Sequence, residues 1–180
     1  RVQRAISRAE QQSLTDPRSG LPAGRLIEEQ LRRIIRQQNW AYMDVRVNHF
    51  EPFKETYGFV AGDDVLRFTA MVIGDVLDEL GTANDFIGHA GGDSFVIVTA
   101  AEVASAIKDR LQRRFAEEVL SHYSFLDREQ GFIRTVNKDG QVEQSPLMKL
   151  SIGVVTPTEY QFADIREITE LAAEARRRSG

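Results

Sequence analysis

The sequence predicts an α/β fold, helices packed on a mixed β-sheet, and three features carry that expectation. Segments with the 3.6-residue period of an amphipathic helix alternate with short runs of β-branched and aromatic residues. Two apolar runs, residues 85–90 and 94–99, meet at Gly91-Gly92, the residue type that tight hairpins demand, so one strand pair must be antiparallel. With 180 residues, 42% of them hydrophobic, the chain can bury one sizeable core.

Residues 1–14 are polar, with Val2, Ile6 and Leu14 the sparse apolar positions. That pattern fits the end of a longer helix arriving from an upstream domain. Asp16-Pro17 and Ser19-Gly20 are breaker dipeptides, so the folded domain is expected over 15–180. Leu26, Ile27, Leu31, Ile34 and Ile35 follow at helical spacing. In 40–48, Asp44, Arg46 and Asn48 alternate with Met43, Val45 and Val47, the signature of a strand with two unlike faces. Residues 62–80 carry a helical apolar stripe that Asp63 or Asp64 could cap. Residues 101–120 read as a helix, 131–144 as a small exposed hairpin turning at Asp139-Gly140, 147–156 as a strand and 165–178 as a closing helix.

Composition excludes several classes. A formal charge of −4 argues against nucleic-acid binding, which needs a basic face. No window approaches the ~18 apolar residues of a membrane span, so no membrane contact is expected of this domain. The absence of Cys removes disulfides and thiolate ligands and fits a cytoplasmic setting. Because it opens on Arg1 rather than Met, the chain reads as a piece of a longer protein.

Four stretches together resemble the GGDEF family, the diguanylate cyclase domains: "LTDPRSGLP" at 14–22, "YGFVAGDDVL" at 57–66, "GGDSF" at 91–95 and "LSIGVV" at 150–155. The resemblance implies a mixed five-stranded sheet wrapped by helices, with a small accessory hairpin. It also implies the condensation of two GTP into cyclic di-GMP across a homodimer, assisted by Mg²⁺.

Carried over residue by residue, the resemblance assigns Gly91 and Gly92 to nucleotide approach and Asp93 to a metal. Read as a bare turn, Gly91-Gly92 would be of type I′. Asp63 is assigned to guanine and Arg176, with Arg177 or Arg178, to the triphosphate; helix capping and solvated helix-end charge explain these residues equally well. Several positions depart from the family. Ser94 stands for the usual Glu, and His89 for a common Arg. Counting back from Tyr57-Gly58 puts Arg46 and Asn48 at the two Asp positions of the first strand, Lys54 at the guanine-reading Asn and Phe59 at the His. A guanidinium cannot ligate a cation. About 4 Å from Mg²⁺ it would add repulsion on the order of several kcal/mol at an effective dielectric near ~20. Asp44, two residues earlier on the same face, could serve as the metal ligand only after a register shift of roughly 6–7 Å. The inhibitory Arg-x-x-Asp becomes Thr82-Ala83-Asn84-Asp85, which keeps the Asp and loses the Arg.

The reading is therefore a degenerate GGDEF domain of a bacterial signalling protein. It would be regulatory or dimerising, with little or no cyclic di-GMP synthesis, and would bind GTP or another nucleotide with Mg²⁺ if at all. Its upstream sensor would act through the N-terminal helix. Two alternatives stand beside it: an active cyclase with an altered metal site, and a protein-interaction module without nucleotide. Whether Asp44 or Arg46 faces Asp93 separates the first two. Whether the Gly91–Asp93 turn borders an open cleft separates the last.

Overall fold

The computed structural model describes residues 14–158 and 161–179, so the expected helix end over 1–14 lies outside it but for Leu14. Helix α1 spans Gly24–Ile34 and strand β1 Ala41–Asn48. Helices α2 (Phe50–Tyr57) and α3 (Phe59–Leu80) follow, joined at Gly58. Strands β2 (Phe86–Gly91) and β3 (Ser94–Thr99) form the expected hairpin. Then come α4 (Ala104–Glu118), α5 (Phe125–Gln130), the accessory hairpin of β4 (Phe132–Val136) and β5 (Val142–Pro146), β6 (Lys149–Val155) and α6 (Ile165–Ser179).

The helix-bearing sheet is as expected in kind, but its strands are arranged differently. Four strands pair in the order β2-β3-β1-β6, and every neighbouring pair is antiparallel. No fifth strand joins them among the described residues. The reason lies in the two crossovers. From β1 the chain returns through α2 and α3 to lay down β2 in the same direction, but not beside β1. The second strand of the hairpin fills the gap. From β3 the chain likewise crosses through α4 to β6, and β1 lies between them. Two interleaved crossovers, each joining parallel strands, leave only antiparallel neighbours.

Period-two alternation divides the core between the two sheet faces. Ala41, Met43, Val45 and Val47 pack on one side against Val72 and Ile73 of α3 and Ile107, Leu111 and Phe115 of α4. Tyr42, Val96, Val98 and Val155 pack on the other against Ile27 and Leu31 of α1 and Ile168 and Ala172 of α6. Each large side chain so buried contributes about 1.5–3 kcal/mol of transfer free energy. Asp44, Arg46 and Asn48 share the face of Tyr42, so the polar half of β1 points toward α1 and α6.

Two local expectations change. Asp63 does not cap α3, which starts at Phe59, with Gly58 at the cap position. Gly58 has φ +97, a value that lets one residue end α2 and begin α3, so Asp63 falls in the second turn. Nor is the Gly91-Gly92 turn of type I′. The two residues between the strands are Gly92 and Asp93, and only Gly92 has positive φ (+50). The φ of +108 at Gly91 belongs to a bulge between His89 and Gly91.

Candidate functional site

A cleft of about 440 Å³ opens between α1 and α6 over the polar half of β1. Asp44 and Arg46 line its floor, Ala90 and Ser94 its hairpin side, and Arg176 and Arg177 the α6 side. The signature turn thus borders an open cleft through the residues that flank it. Strand register fixes the floor. Arg46 pairs across with Ser94, while Asp44 pairs with Val96 on one side and Gly153 on the other.

Arg46 faces Asp93. Its Nε lies 3.8 Å from an Asp93 carboxylate oxygen and donates to the Ser94 hydroxyl at 3.3 Å. Asp44 does not face Asp93; its carboxylate lies 3.3 Å from Nε of Arg176. The Arg176 side chain is only 7% exposed, and that Nε makes no hydrogen bond, so the pair attracts by charge without aiming its N–H. Asn48 donates to the Ser151 hydroxyl of β6. Burial, reinforced by the Asp44 charge, pushes the Tyr42 phenol up, so it stays neutral beneath the cleft.

The turn itself is anchored from behind. Its Asp93 carbonyl accepts the Val47 amide at 3.0 Å. His89 is buried and stacks on Phe95 at 4.3 Å between ring centroids. Its Nε2 donates to the Gly92 carbonyl at 2.8 Å, which leaves Nδ1 to accept from the Ser19 hydroxyl at 2.8 Å. His89, at the position of a common Arg of the family, is thus a core residue. It ties the signature turn to the lead-in loop, whose Pro22 carbonyl also accepts the His89 amide. Burial holds the imidazole below its ordinary range, although the Gly92 carbonyl and the nearby Asp16 charge oppose that shift. Asp16 is pushed up by burial, but side-chain and backbone hydrogen bonds from Arg18 together outweigh that and hold it below the usual carboxylate range.

The remaining residues singled out in the sequence are scattered. Asp63, on α3, does not line the cleft; its charge helps raise the pKa of Arg18, after the Arg18–Asp16 hydrogen bond. Lys54 pairs with Glu51 at 3.4 Å and lies over the Phe50 ring at 5.8 Å. Asp85 closes its own turn: it accepts from the Thr82 amide (2.7 Å), the Thr82 hydroxyl (2.6 Å) and the Thr99 hydroxyl (2.8 Å). Sequence reasoning named Asp44 and Arg176 separately, for metal and for phosphate, and did not pair them. The available signal was Gly153, a glycine inside a β-branched strand, which marks close backbone approach. A Cβ there would lie 2.9 Å from Cα of Arg176, so α6 sits hard on β6 directly beside Asp44.

These residues do not fit a pair of Mg²⁺ ions, which require several hard oxygen ligands. Asp44 on the cleft floor and Asp93 in the turn beside it each already face a guanidinium. Among the described residues no group of three or more His, Asp or Glu could hold a metal.

The sequence profile described as "Diguanylate cyclase, GGDEF domain" matches residues 13–179. The chain belongs to the GGDEF family. Among curated relatives, this GGDEF domain is 32% identical over 110 residues to the diguanylate cyclase DgcP of Pseudomonas aeruginosa, a match covering 57% of the chain and 16% of that protein. A diguanylate cyclase of Vibrio cholerae is 29% identical over 84 residues, covering 45% of the chain and 25% of that protein. The chain therefore spans a quarter or less of the length of these relatives. Among solved structures, the coiled coil and GGDEF domain of DgcB from Caulobacter crescentus, in complex with c-di-GMP, superposes with a TM-score of 0.66 at 21% identity. It covers 99% of this chain and 86% of that one. Diguanylate cyclase SiaD from Pseudomonas aeruginosa, in complex with its activator SiaC, gives 0.65 at 22% identity, covering 99% and 64%. At these identities the structures establish the fold. No helix among the described residues is long and apolar enough to cross a membrane.

Proposed function

We propose that this is a degenerate GGDEF domain of a cytoplasmic bacterial signalling protein, working by regulation and dimerisation rather than by synthesis of cyclic di-GMP. The observation that carries the reading is the guanidinium of Arg46 beside Asp93, at the position where the resemblance puts a metal-bridging carboxylate. A fixed positive charge there repels Mg²⁺, and electrostatic stabilisation of the reacting phosphates by the metal is lost. Asp44 does not compensate, because Arg176 holds it. Arg176 lines the cleft, and Gly91 and Gly92 lie in the turn between its lining residues Ala90 and Ser94, so nucleotide binding without turnover fits the site. An upstream sensor would reach this site through the N-terminal helix and the lead-in loop that His89 fastens to the signature turn.

The test is a calorimetric titration of GTP into the parent and Arg46→Asp, each with and without Mg²⁺, with melting curves as a folding control. Removing the guanidinium relieves the repulsion, and the new carboxylate supplies a hard ligand. Arg46→Asp should therefore gain Mg²⁺-dependent binding. If it melts like the parent and gains none, the reading of this strand is mistaken.

A further inference from the structure

Resting on that reading, we infer that the cleft is a receptor for a polyphosphate group that binds without a divalent cation and without reading the base. Arg46 supplies as a fixed side chain the positive charge a metal would otherwise bring. Three guanidinium groups line the cleft, Arg46, Arg176 and Arg177, against the two carboxylates Asp44 and Asp93 that face them. The arginines hold unspent hydrogen-bonding capacity. Arg46 uses only Nε, in one long bond to Ser94, and its 3.8 Å approach to Asp93 is too far for a hydrogen bond. The Nε of Arg176 is the one buried side-chain nitrogen or oxygen among the described residues with no hydrogen-bond partner. Arg177 makes no ion pair among them. Planar guanidinium forks suit phosphate oxygens, and desolvated ones hold them more tightly.

Arg176 reaches β1 at Asp44, and Arg46 stands two residues further along the same strand, so the arginines meet the cleft floor at successive points. With Arg177 they make three guanidinium groups spread over the cleft, a charge distribution that a chain of linked phosphates matches along its length. The cleft volume lies within the ~300–1,000 Å³ range of small-ligand sites. Base recognition has no counterpart here. Lys54, at the guanine-reading position, offers donors only and is engaged with Glu51, and Asp63 stands outside the cleft.

The test is calorimetry in EDTA with inorganic tripolyphosphate, GTP and ATP as probes. All three should bind the parent within about threefold of one another, and excess Mg²⁺, by complexing the phosphates, should weaken binding. Arg46→Gln should lose about tenfold or more for every probe, and Arg46→Lys should lose less. Lys138→Gln, on the distant accessory hairpin, should change nothing. Arg46 is 44% exposed on its side chain, so its replacement should leave the fold intact, and a melting curve checks this. No tripolyphosphate binding in EDTA overturns the inference, as does binding only with Mg²⁺ or an Arg46→Gln variant that binds like the parent. GTP bound far more tightly than both ATP and tripolyphosphate would refute the base-blind part. Synthesis of cyclic di-GMP by the parent would instead overturn the underlying reading of the site, so the two failures are distinguishable.

Discussion

Gly153→Ala should both destabilise the protein and loosen the cleft. The added Cβ would lie 2.9 Å from Cα of Arg176, and nearer still to the Ala172 carbonyl oxygen and the Arg176 amide nitrogen. Carbon–carbon contacts are optimal at about 3.5–4.0 Å, so relief needs about 1 Å of displacement of α6 from the sheet. All three obstacles are backbone atoms, which cannot rotate away as a side-chain tip can. Overpacking of this kind costs about 1–3 kcal/mol, and rigid neighbours place this case near ~3 kcal/mol. For a chain of this size each kcal/mol lowers Tm by about 2–4 °C, so a drop of about 6–12 °C is expected. Gly74→Ala, inside α3 where a Cβ meets nothing within 4 Å, is the control and should stabilise by about 1 kcal/mol. The assay is thermal melting followed by circular dichroism, with tripolyphosphate titration as second readout because Arg176 rides on the displaced helix. A Gly153→Ala protein that melts within about 1 °C of the parent would refute the close-packing argument.

Three further outcomes follow from the same geometry. Arg176→Met should cost about 3 kcal/mol, because it strands the largely buried Asp44; adding Asp44→Leu should recover much of that loss in chemical denaturation. All three histidines, His49, His89 and His122, are held below their ordinary range chiefly by burial. The folded state therefore binds fewer protons than the unfolded one, and stability should fall as pH drops below about 6.5. His89→Gln should flatten that fall in a Tm-versus-pH series; an unchanged slope would show that His89 does not titrate on unfolding. Cyclic di-GMP should bind at 82–85 more weakly than micromolar, since Thr82 replaces the Arg and Asp85 is committed to its own turn; tight binding lost in Asp85→Ala would contradict this.

How far the fold was legible depends on the range of the interactions involved. The hairpin at 85–99, the alternation of β1, and the helices within 101–120 and 165–178 follow from local periodicity and glycine placement, and they form, as does the helix through Leu26, Ile27, Leu31 and Ile34, which stops at Ile34. The antiparallel order did not follow, because nothing in a strand's own residues says that the returning chain skips a position. Asp63 has the chemistry of a cap, but the helix boundary is set by the backbone, at the positive φ of Gly58. The fate of Asp44 was least legible. Its partner Arg176 is distant in sequence, and their meeting depends on how closely α6 descends on Gly153. Arg46 opposite the signature turn was legible, because counting from Tyr57-Gly58 fixes the strand position and the hairpin signal fixes its neighbour.

The proposal turns on Arg46, which lies beside Asp93 and would remove the metal-supported chemistry of this GGDEF domain. The most direct measurement is a chromatographic assay of the full chain, at concentrations high enough for dimers, incubated with GTP and Mg²⁺. GTP should remain, and little or no cyclic di-GMP should form. Steady accumulation of cyclic di-GMP by the parent protein, abolished in Asp44→Asn, would contradict it and would assign Asp44 the metal role denied to it here.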